Sequence, residues 1–296
     1  MADKKLNTGC AVALGNFDGV HTAHRKVLDA ALSLADKHNV KACAILFDIH
    51  PKSYITKSPL PTLLTGQKTK DLLSSLGFEV VTLNFAQIQS MSAAEFFEEI
   101  LIKQLGAKAL CCGFNYSFGK NGAGSSSDLR EMCSKAGVDF EMIPPVEING
   151  ETVSSTAVRN YIAAGKPEKA ALMLGRNYTV CGKVVEGDQR GRTWGFPTAN
   201  QIIDESLVVP KYGVYETKTV IDAKEYKCVT NIGIRPTYLS ERALAETHII
   251  GFSGDLYGKE IEVELIRFIR PEKKFASAQE LIEQLKKDIS EVTGDV

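Results

Sequence analysis

The chain has 296 residues, of which 44% are hydrophobic and 24% are charged. At roughly 150 residues per domain, this length predicts about two domains. The composition is that of an ordinary globular protein, which excludes collagen-like and disordered chains. The 35 Lys and Arg residues nearly balance the 36 Asp and Glu residues. Because nucleic-acid binders usually carry a basic excess, the net charge of -1 argues against a nucleic-acid partner.

Membrane and secreted proteins are also disfavoured. No apolar run reaches the ~18 residues of a transmembrane helix, and the start MADKKLNTGC lacks the apolar stretch of a signal peptide. The seven cysteines are scattered, and no two are spaced as Cys-x-x-Cys. We therefore expect buried thiols in a reducing compartment, no membrane contact and a cytoplasmic location.

The first half of the chain alternates short apolar runs with helical patterns. Strands are predicted at 11–14, 41–47, 78–85 and 107–114, with helices between them at 25–38, 69–76 and 92–105. This rhythm predicts an α/β domain with a doubly wound parallel sheet, in which ligands bind beyond the carboxyl ends of the strands. The two loops at 15–24 and 113–124 both follow strands.

The pattern changes after two more helical segments, at 154–165 and 167–175. Beyond Arg176 come β-rich segments separated by Gly, Pro, Asp and Asn, and the next helical pattern is at 277–289. These features predict an antiparallel barrel or sandwich closed by a C-terminal helix. We place the domain boundary near residue 175, which gives domains 1–175 and 176–296.

The loop GNFDGVHTAH (15–24) leads from the first strand into the first long helix. Its two glycines let backbone approach a ligand, and free N–H groups at a helix start favour an anion. His21 and His24 are three residues apart and share one face of a first helical turn, where they could contact nucleotide phosphates. The alternative is an ordinary strand–loop–helix junction in which two of the five histidines fall together by chance.

Two further segments supply polar groups. GFNYSFGKNG (113–122) is glycine-rich and ends a predicted strand, while SSTAVR (154–159) offers hydroxyls and a guanidinium at a helix start. An arginine in that position can hold phosphates through two parallel hydrogen bonds. By itself, SSTAVR is also compatible with a plain capping sequence that carries a surface arginine.

Together, GNFDGVHxxH, the downstream His50-Pro51, GFNYSFGKNGAG and SSTAVR resemble, in order, the adenylyltransferase module of bacterial bifunctional riboflavin kinase/FAD synthetases. The resemblance implies a nucleotidylyltransferase (Rossmann-like) domain that converts FMN and ATP to FAD. His21 and His24 would stabilise charge on the ATP phosphates, and Asn115 would hold the nucleotide or the flavin phosphate. The remaining implied nucleotide-binding residues are Gly15, Phe17, Asp18, Gly19, Ser155, Thr156 and Arg159, of which the last three would bind the triphosphate.

One departure from the family concerns its hallmark His-x-Gly-His, which reads His21-Thr22-Ala23-His24 here. Glycine lets the backbone lie against the nucleotide, whereas a crowding methyl group costs about 1–3 kcal/mol by analogy with overpacked cores. That is roughly tenfold to more than a hundredfold in rate. Alanine is nevertheless small and a good helix former, so a slight shift could absorb it. A second departure is Ile49, where the family usually has proline.

The segment GDQRGRTWGFPTAN (187–200) spaces glycines at every fourth position before Pro-Thr-Ala-Asn. It lacks the Gly-Lys-Ser/Thr ending of a P-loop, which excludes a Walker-type site. The pattern is typical of a flap whose backbone covers phosphates. Two hard oxygen donors follow, Thr198 and Asn200, of the kind that share Mg²⁺ with a nucleotide. The alternative is a glycine-rich hairpin with an Asn turn.

This segment and the β-rich sequence that follows it, including YGVYETKTV, NIGIRPTY and ETHIIGF, resemble the riboflavin kinase module of the same family. The resemblance implies a six-stranded antiparallel β-barrel with a terminal helix that converts riboflavin and ATP to FMN. A base is needed because riboflavin presents a neutral hydroxyl. The family's phosphate-binding glycines map to Gly187, Gly191 and Gly195, its magnesium ligands to Thr198 and Asn200, and its catalytic base to Glu246.

Two neighbours of these motifs have less defined roles. Strand periodicity places His248 on the same face as Glu246, and we favour a structural role for it. Trp194 is the only tryptophan in the chain and stands where leucine or another apolar residue is usual. It either packs on flavin or nucleotide, or covers the barrel.

The sequence therefore predicts a bifunctional enzyme of flavin cofactor biosynthesis, with ATP as co-substrate, Mg²⁺ as cofactor, and FMN and FAD as products. Its partners would be small molecules, and whether it forms a homo-oligomer stays open. Two alternatives remain. One is a riboflavin kinase whose adenylyltransferase is impaired by Ala23, and the other is a non-catalytic flavin-sensing regulatory protein. The intact Thr198, Asn200, Glu246 and histidine pair argue against the second.

Overall fold

The structure, a computed structural model, describes residues 9–187, 194–234 and 242–294. The chain divides into two compact units, the first ending at Ser155 and the second beginning at Thr156. The placement of a domain boundary near residue 175 stays a prediction.

A five-stranded parallel sheet forms the centre of the first unit. The strands of this unit are β1 (Cys10–Leu14), β2 (Lys41–Phe47), β3 (Glu79–Leu83), β4 (Ala107–Gly113), β5 (Ser117–Phe118), β6 (Gly124–Ser125), β7 (Asp139–Ile143), β8 (Glu147–Ile148) and β9 (Glu151–Thr152). The sheet has the order β3-β2-β1-β4-β7. The strand order reverses between β1 and β4, and ligands of such sheets bind at the carboxyl ends of the strands at this point.

Helices cover both faces of this sheet, as expected for a doubly wound fold. They are α1 (Thr22–His38), α2 (Pro51–Thr56), α3 (Gly66–Ser75), α4 (Phe85–Ile88), α5 (Ala93–Glu95), which continues as a π-helix at Phe96–Gln104, and α6 (Ser126–Ala136). Alternation along β1 explains the two layers. Val12 and Leu14 pack with the π-helix and α6, whereas Ala11 and Ala13 pack with α1 and α3.

All seven cysteines are free and six of them are buried, which confirms the expected buried thiols. Burial raises the pKa of the Cys133 thiol to about 11 and that of Cys112 to about 12. These thiols therefore remain protonated near neutral pH and act as small apolar core residues.

The second unit is a closed six-stranded antiparallel barrel, as predicted, with the order β10-β11-β14-β13-β12-β15. Its strands are β10 (Tyr178–Val185), β11 (Thr198–Ile202), β12 (Gly213–Ile221), β13 (Lys224–Ile234), β14 (Ala243–Ile249) and β15 (Glu260–Arg270). The helices are α7 (Ser155–Ala163), which begins at the division between the units, α8 (Pro167–Leu174) and α9 (Ala278–Thr293). No helix in the described part of the chain combines the length and the apolar character needed to cross a membrane.

The barrel interior combines an apolar cluster with a short row of hydroxyl groups. Ala199 and Ile249 belong to the apolar cluster. The Thr230 hydroxyl lies 2.7 Å from that of Thr217 and 2.9 Å from that of Thr247. Each buried threonine is thus paired within the barrel, which removes the cost of burying it.

The C-terminal half of α9 is fastened to the outside of the barrel. Asp288 accepts hydrogen bonds of 2.9 and 2.7 Å from Nε and Nη2 of Arg270, at the end of β15. Val292 packs with Val214 and Val229, and its carbonyl accepts a bond of 3.1 Å from Lys227. Since the Asp288 side chain is only 2% exposed, its pairing with Arg270 is a condition for docking this half of the helix.

We therefore expect Asp288→Ala to destabilise the second unit by about 3–5 kcal/mol, because it leaves the largely buried guanidinium of Arg270 without its counter-ion. Urea unfolding followed by the emission of Trp194, the only tryptophan, reports on this unit. Glu291→Ala is the matched control on the same helix. It breaks a pair with Arg267 that is 46% and 47% exposed, so its cost should stay within about 1 kcal/mol. Equal losses in both variants would contradict the assignment of Asp288 as the main tether.

Candidate active sites

The first candidate site lies where β1 leads into α1. His21 is the N-cap of this helix, and its Nδ1 accepts a hydrogen bond of 3.2 Å from the backbone N–H of His24. The two imidazole rings stack, with centroids 3.6 Å apart and planes inclined by 10°. Because Nδ1 of His21 is an acceptor, a neutral His21 ring carries its proton on Nε2. The structure thus brings the two sequence-predicted histidines together.

Both rings are largely withdrawn from water. His21 is 5% exposed. Burial, and secondarily the neighbouring His21, lowers the pKa of His24 well below its ordinary value of 6.5. Nδ1 of His24 and the hydroxyl of Thr22 are buried without a hydrogen-bond partner among the described residues. Since buried polar atoms are normally paired, these two atoms mark a place where a ligand would complete the hydrogen bonding.

The backbone between β1 and α1 is tightly wound. Phe17, Gly19 and Val20 all have positive φ, of 49°, 77° and 43°. Phe17 is fully buried, and a Cβ built on Gly15 would lie 3.3 Å from its ring. These features show what the residues do for the loop, and their part in nucleotide binding stays a prediction.

Asp18 connects this loop to two other segments of the first unit. Its Oδ1 accepts a hydrogen bond of 2.7 Å from the backbone N–H of Leu63. Its backbone carbonyl accepts one of 3.0 Å from the hydroxyl of Ser155. The carboxylate is 5% exposed, so it positions the loop from within the unit.

The second predicted loop also begins at the carboxyl edge of the sheet. Asn115 is exposed and follows β4, the neighbour of β1. Glycines further along this loop have a packing role: a Cβ on Gly119 would lie 2.6 Å from the backbone nitrogen of Ala93, and one on Gly124 would lie 2.7 Å from its Cβ. The richness in glycine thus reflects close packing, while Asn115 remains available to a ligand.

The predicted triphosphate-binding residues fall on either side of the point in the sequence at which the chain divides into its two units. Ser155 is the last residue of the first unit, whereas Thr156 and Arg159 belong to the second. Nη2 of Arg159 lies 3.3 Å from the hydroxyl of Thr156, one helical turn away. The guanidinium is therefore held beside a hydroxyl at the start of α7.

The second candidate site is a row of polar side chains on the outer face of the barrel. Antiparallel pairing places Asn200 of β11 opposite Glu246 of β14, and Glu246 opposite Asn231 of β13. Thr198 lies opposite His248 in the next row of the same face. Directly opposed residues have Cβ atoms about 4.5–5.5 Å apart, so the pairing assembles these side chains into one patch.

Asn200 offers an oxygen that the described residues do not satisfy. Its side chain is 6% exposed, and Oδ1 is buried without a hydrogen-bond partner among them. Gly187 lies so close that a Cβ there would overlap the Asn200 amide. An orphaned amide oxygen beside the hydroxyl of Thr198 forms a hard, neutral donor set of the kind that Mg²⁺ uses when phosphates complete its coordination. These residues therefore fit a magnesium ion shared with a nucleotide.

Two cavities meet at this patch. The first, of about 590 Å³, is lined by Thr198, Asn200 and Thr247, with the segment Phe252–Tyr257. The second, of about 380 Å³, lies between the barrel and α9. It is lined by Trp194, Phe196, Thr198, Val214, Val229, Asn231, Glu246, His248, Arg270, Glu272, Lys273, Phe275, Leu281, Leu285 and Ile289. Thr198 lines both, so ligands in the two cavities would approach each other at its side chain.

Glu246 and His248 have different surroundings although they share a strand face. Glu246 is half-buried and lines the second cavity, where a carboxylate can meet a ligand hydroxyl. Nδ1 of His248 lies 2.9 Å from the carbonyl oxygen of Pro197 and donates to it, so a neutral ring keeps Nε2 as an acceptor. This hydrogen bond supports the structural role favoured for His248, because it restrains Pro197, the residue before Thr198.

The glycines predicted to cover phosphates are partly described. Gly187 abuts Asn200, and Gly195 has a φ of 83° with open space around it. Gly191 lies outside the described residues.

Three residues that belong to this site were not predicted from the sequence. Asn231 pairs with Glu246 across the strands, and Arg270 and Glu272 line the second cavity. The carboxylate of Glu272 occupies the space that a Cβ on Gly233 would fill. Asn231 and Gly233 belong to the NIGIRPTY segment. Their contacts with Glu246 and Glu272 depend on how the strands pair, which the sequence pattern alone does not show.

Comparison with known proteins assigns both units. A family model described as riboflavin kinase matches residues 174–294, and one described as FAD synthetase matches residues 3–157. The bifunctional riboflavin kinase/FMN adenylyltransferase of Pseudomonas fluorescens is 34% identical over 285 residues, 95% of this chain and 91% of its own length. The protein of the same name from Bacillus subtilis (strain 168) is 33% identical over 296 residues, 97% of this chain and 93% of its own.

The fold of this chain matches that of a solved structure over nearly the whole length of both chains. It is a crystal structure described as a macrolide-efflux protein from Streptococcus pneumoniae. The match has a TM-score of 0.88 at 32% identity and covers 99% of this chain and 96% of that one.

The lowered pKa of His24 predicts how stability changes with pH. The folded ring binds its proton less readily than the unfolded one, so the stability contributed by its neutral form is complete above about pH 6.5 and is lost as the pH falls towards the folded pKa. In that window, we expect the wild-type free energy of unfolding to fall up to about 1.4 kcal/mol per pH unit faster than that of His24→Gln. Urea unfolding followed by circular dichroism between pH 8 and 5 measures the difference, and parallel curves would contradict it.

Proposed function

The chain belongs to the family of bifunctional riboflavin kinases/FMN adenylyltransferases, and we propose that each of the two candidate sites carries one of the two activities. The enzyme phosphorylates riboflavin with ATP to give FMN and ADP, and transfers AMP from ATP to FMN to give FAD and pyrophosphate. The observation that carries the kinase assignment is that Thr198 lines both barrel cavities while Glu246 lines the second.

In the kinase reaction, we place ATP in the first cavity and riboflavin in the second. The neutral 5′-hydroxyl of riboflavin then lies near Glu246, whose carboxylate takes the proton as oxygen forms its bond to the γ-phosphorus and the bond to ADP breaks. Leu281, Leu285 and Phe275 supply apolar walls suited to a flat ring system. The backbone at Gly187 and Gly195, and at Gly191, would cover the phosphates.

Thr198 and Asn200 would hold Mg²⁺ through their side-chain oxygens. When bound, the ion neutralises charge on the nucleotide phosphates. The support is the buried, unsatisfied Oδ1 of Asn200 beside the wall that the two cavities share. His248 acts indirectly, because its bond to the Pro197 carbonyl restrains the turn leading into Thr198.

In the adenylyltransferase reaction, the FMN phosphate attacks the α-phosphorus of ATP and pyrophosphate leaves. This nucleophile is already an anion, so the site needs positioning and charge stabilisation rather than a base. A neutral His21 carries its proton on Nε2, and His24 and Thr22 present polar atoms that the described residues leave unsatisfied at a helix start, where anions are favoured. We assign Ser155, Thr156 and Arg159 to the triphosphate, and Asn115 to the nucleotide or the flavin phosphate. Gly15, Phe17, Asp18 and Gly19 complete the nucleotide-binding loop.

We also propose that the enzyme works in the cytoplasm on small molecules, without a nucleic-acid partner. Its seven free cysteines suit a reducing compartment, and its net charge of -1 lacks the basic excess of nucleic-acid binders. A homo-oligomer remains an open alternative.

Two variants separate the activities. With riboflavin, ATP and Mg²⁺, followed by chromatographic separation of the flavins, the wild type should form FMN and then FAD. Glu246→Gln removes the base but keeps the shape, so FMN formation should fall by at least about a hundredfold while conversion of supplied FMN to FAD continues. His24→Gln should do the reverse. Loss of both steps in either folded variant would contradict two independent sites, and absence of both products in the wild type would favour a flavin-sensing protein.

The effect of the Ala23 methyl group distinguishes a bifunctional enzyme from one that has the kinase activity alone. It lies half-buried in the first turn of α1, directly between Thr22 and His24. If its methyl group crowds the nucleotide, Ala23→Gly should raise the rate of FAD formation by roughly tenfold or more, despite costing about 1 kcal/mol in helix propensity. Riboflavin phosphorylation in the same preparation is the internal control. An unchanged or lower rate of FAD formation would mean that the alanine is accommodated, whereas wild-type protein that forms only FMN would support the kinase-only alternative.

A further inference from the structure

We infer that Trp194 stacks on the isoalloxazine ring of riboflavin and helps to select this substrate. The inference rests on the proposed placement of riboflavin in the second barrel cavity. It adds a contact made by a side chain that is unusual at this position, since leucine or another apolar residue is more common there.

The position of Trp194 distinguishes between the possible occupants of the barrel. The indole is half-buried and lines the cavity of about 380 Å³ together with Glu246. Among the described residues, those lining the other cavity, of about 590 Å³, do not include Trp194. The indole therefore faces the side where the phosphate acceptor meets its base.

The local backbone directs two aromatic side chains into this cavity. Gly195 has a φ of 83°, a left-handed conformation that side chains other than glycine rarely adopt. Residues on either side of it, Trp194 and Phe196, both line the cavity. Phe196 packs edge-on against His248, with ring centroids 5.6 Å apart and planes inclined by 72°. Phe196 is thus fixed by a protein partner.

Phe275, which also lines this cavity, has two cations near its ring. Phe275 has the Lys273 ammonium 5.4 Å from its ring centroid and the Arg270 guanidinium 5.9 Å from it. Among the described residues, no ring or cation packs on the indole of Trp194. Within the described part of the chain, the indole is therefore an aromatic side chain of this cavity on which neither a ring nor a cation packs.

The chemistry of the two rings is complementary. Isoalloxazine is a flat, electron-poor tricycle, whereas indole is the most electron-rich aromatic side chain, and offset stacking adds to the area they bury. A stacked indole also quenches flavin fluorescence by donating an electron to the excited ring, which requires near contact. Phenylalanine stacks but is a poor electron donor, and leucine does neither.

The test compares full-length wild type with Trp194→Phe and Trp194→Leu. Riboflavin is excited in its visible band, where indole does not absorb, and its emission is recorded on binding in the presence of ADP and Mg²⁺. Steady-state kcat and KM for riboflavin and for ATP are measured on the same preparations. Any flavin bound by the first unit contributes equally to all three proteins and cancels in the comparison.

We expect strong quenching of bound riboflavin in the wild type and loss of most of it in both variants. Trp194→Phe should keep the KM for riboflavin within about twofold. Trp194→Leu should raise it about two- to tenfold, with kcat and the KM for ATP nearly unchanged. A kcat near that of the wild type also shows that each variant is folded.

For Trp194→Leu, undiminished quenching, an unchanged KM for riboflavin, or a rise in the KM for ATP instead of riboflavin would overturn the inference. These outcomes are distinct from failure of the proposed function. If the wild type formed no FMN, the kinase assignment itself would fall, whereas FMN formation with quenching independent of Trp194 would reject the stacking alone.

Discussion

The register of the barrel strands is the constraint on which the second site depends. Along β11 and β14 the side chains alternate, so Ala199 and Thr247 fill the interior while Asn200 and Glu246 face outward. A slip of one residue would turn a carboxylate into the barrel and an alanine out of it. Core packing therefore fixes the positions of the polar row, and the row in turn places a carboxylate beside the wall that two cavities share. The alternation of apolar and polar residues that closes the barrel therefore also brings the polar side chains of the candidate site together.

The first unit reaches a comparable result through a helix terminus instead of a strand pair. His21 serves the fold by capping α1, and this bond fixes the tautomer of its neutral ring. Its neighbours leave Nδ1 of His24 and the hydroxyl of Thr22 buried without partners among the described residues. Buried polar atoms without a hydrogen-bond partner destabilise a fold. Asn200 provides such an atom in the second unit, so both units are less stable than they could be at the place where phosphates would bind.

The two proposed sites differ in the way that the two reactions require. An alcohol must lose a proton to attack phosphorus, and the barrel cavity contains the carboxylate of Glu246. A phosphate is already charged, and the first site presents the imidazole of His24, whose pKa is lowered by burial and by the neighbouring His21. Neutral donors can stabilise developing charge without holding a substrate anion too tightly in the ground state. One polypeptide thus combines two ways of handling ATP.

Local sequence patterns predicted the parallel sheet, an antiparallel barrel or sandwich, the histidine pair and the oxygen donors Thr198 and Asn200, because periodicity and turn residues act over a few positions. The choice of a six-stranded barrel and of Glu246 as the base came from the resemblance to the riboflavin kinase module. Three-dimensional pairing was needed to find Asn231 beside Glu246, to recognise Gly187 as the cover of Asn200, and to place Trp194 on one side of the barrel. These relations join residues far apart in the chain. They follow from strand register and from the packing of α9 against the barrel, which no local pattern records.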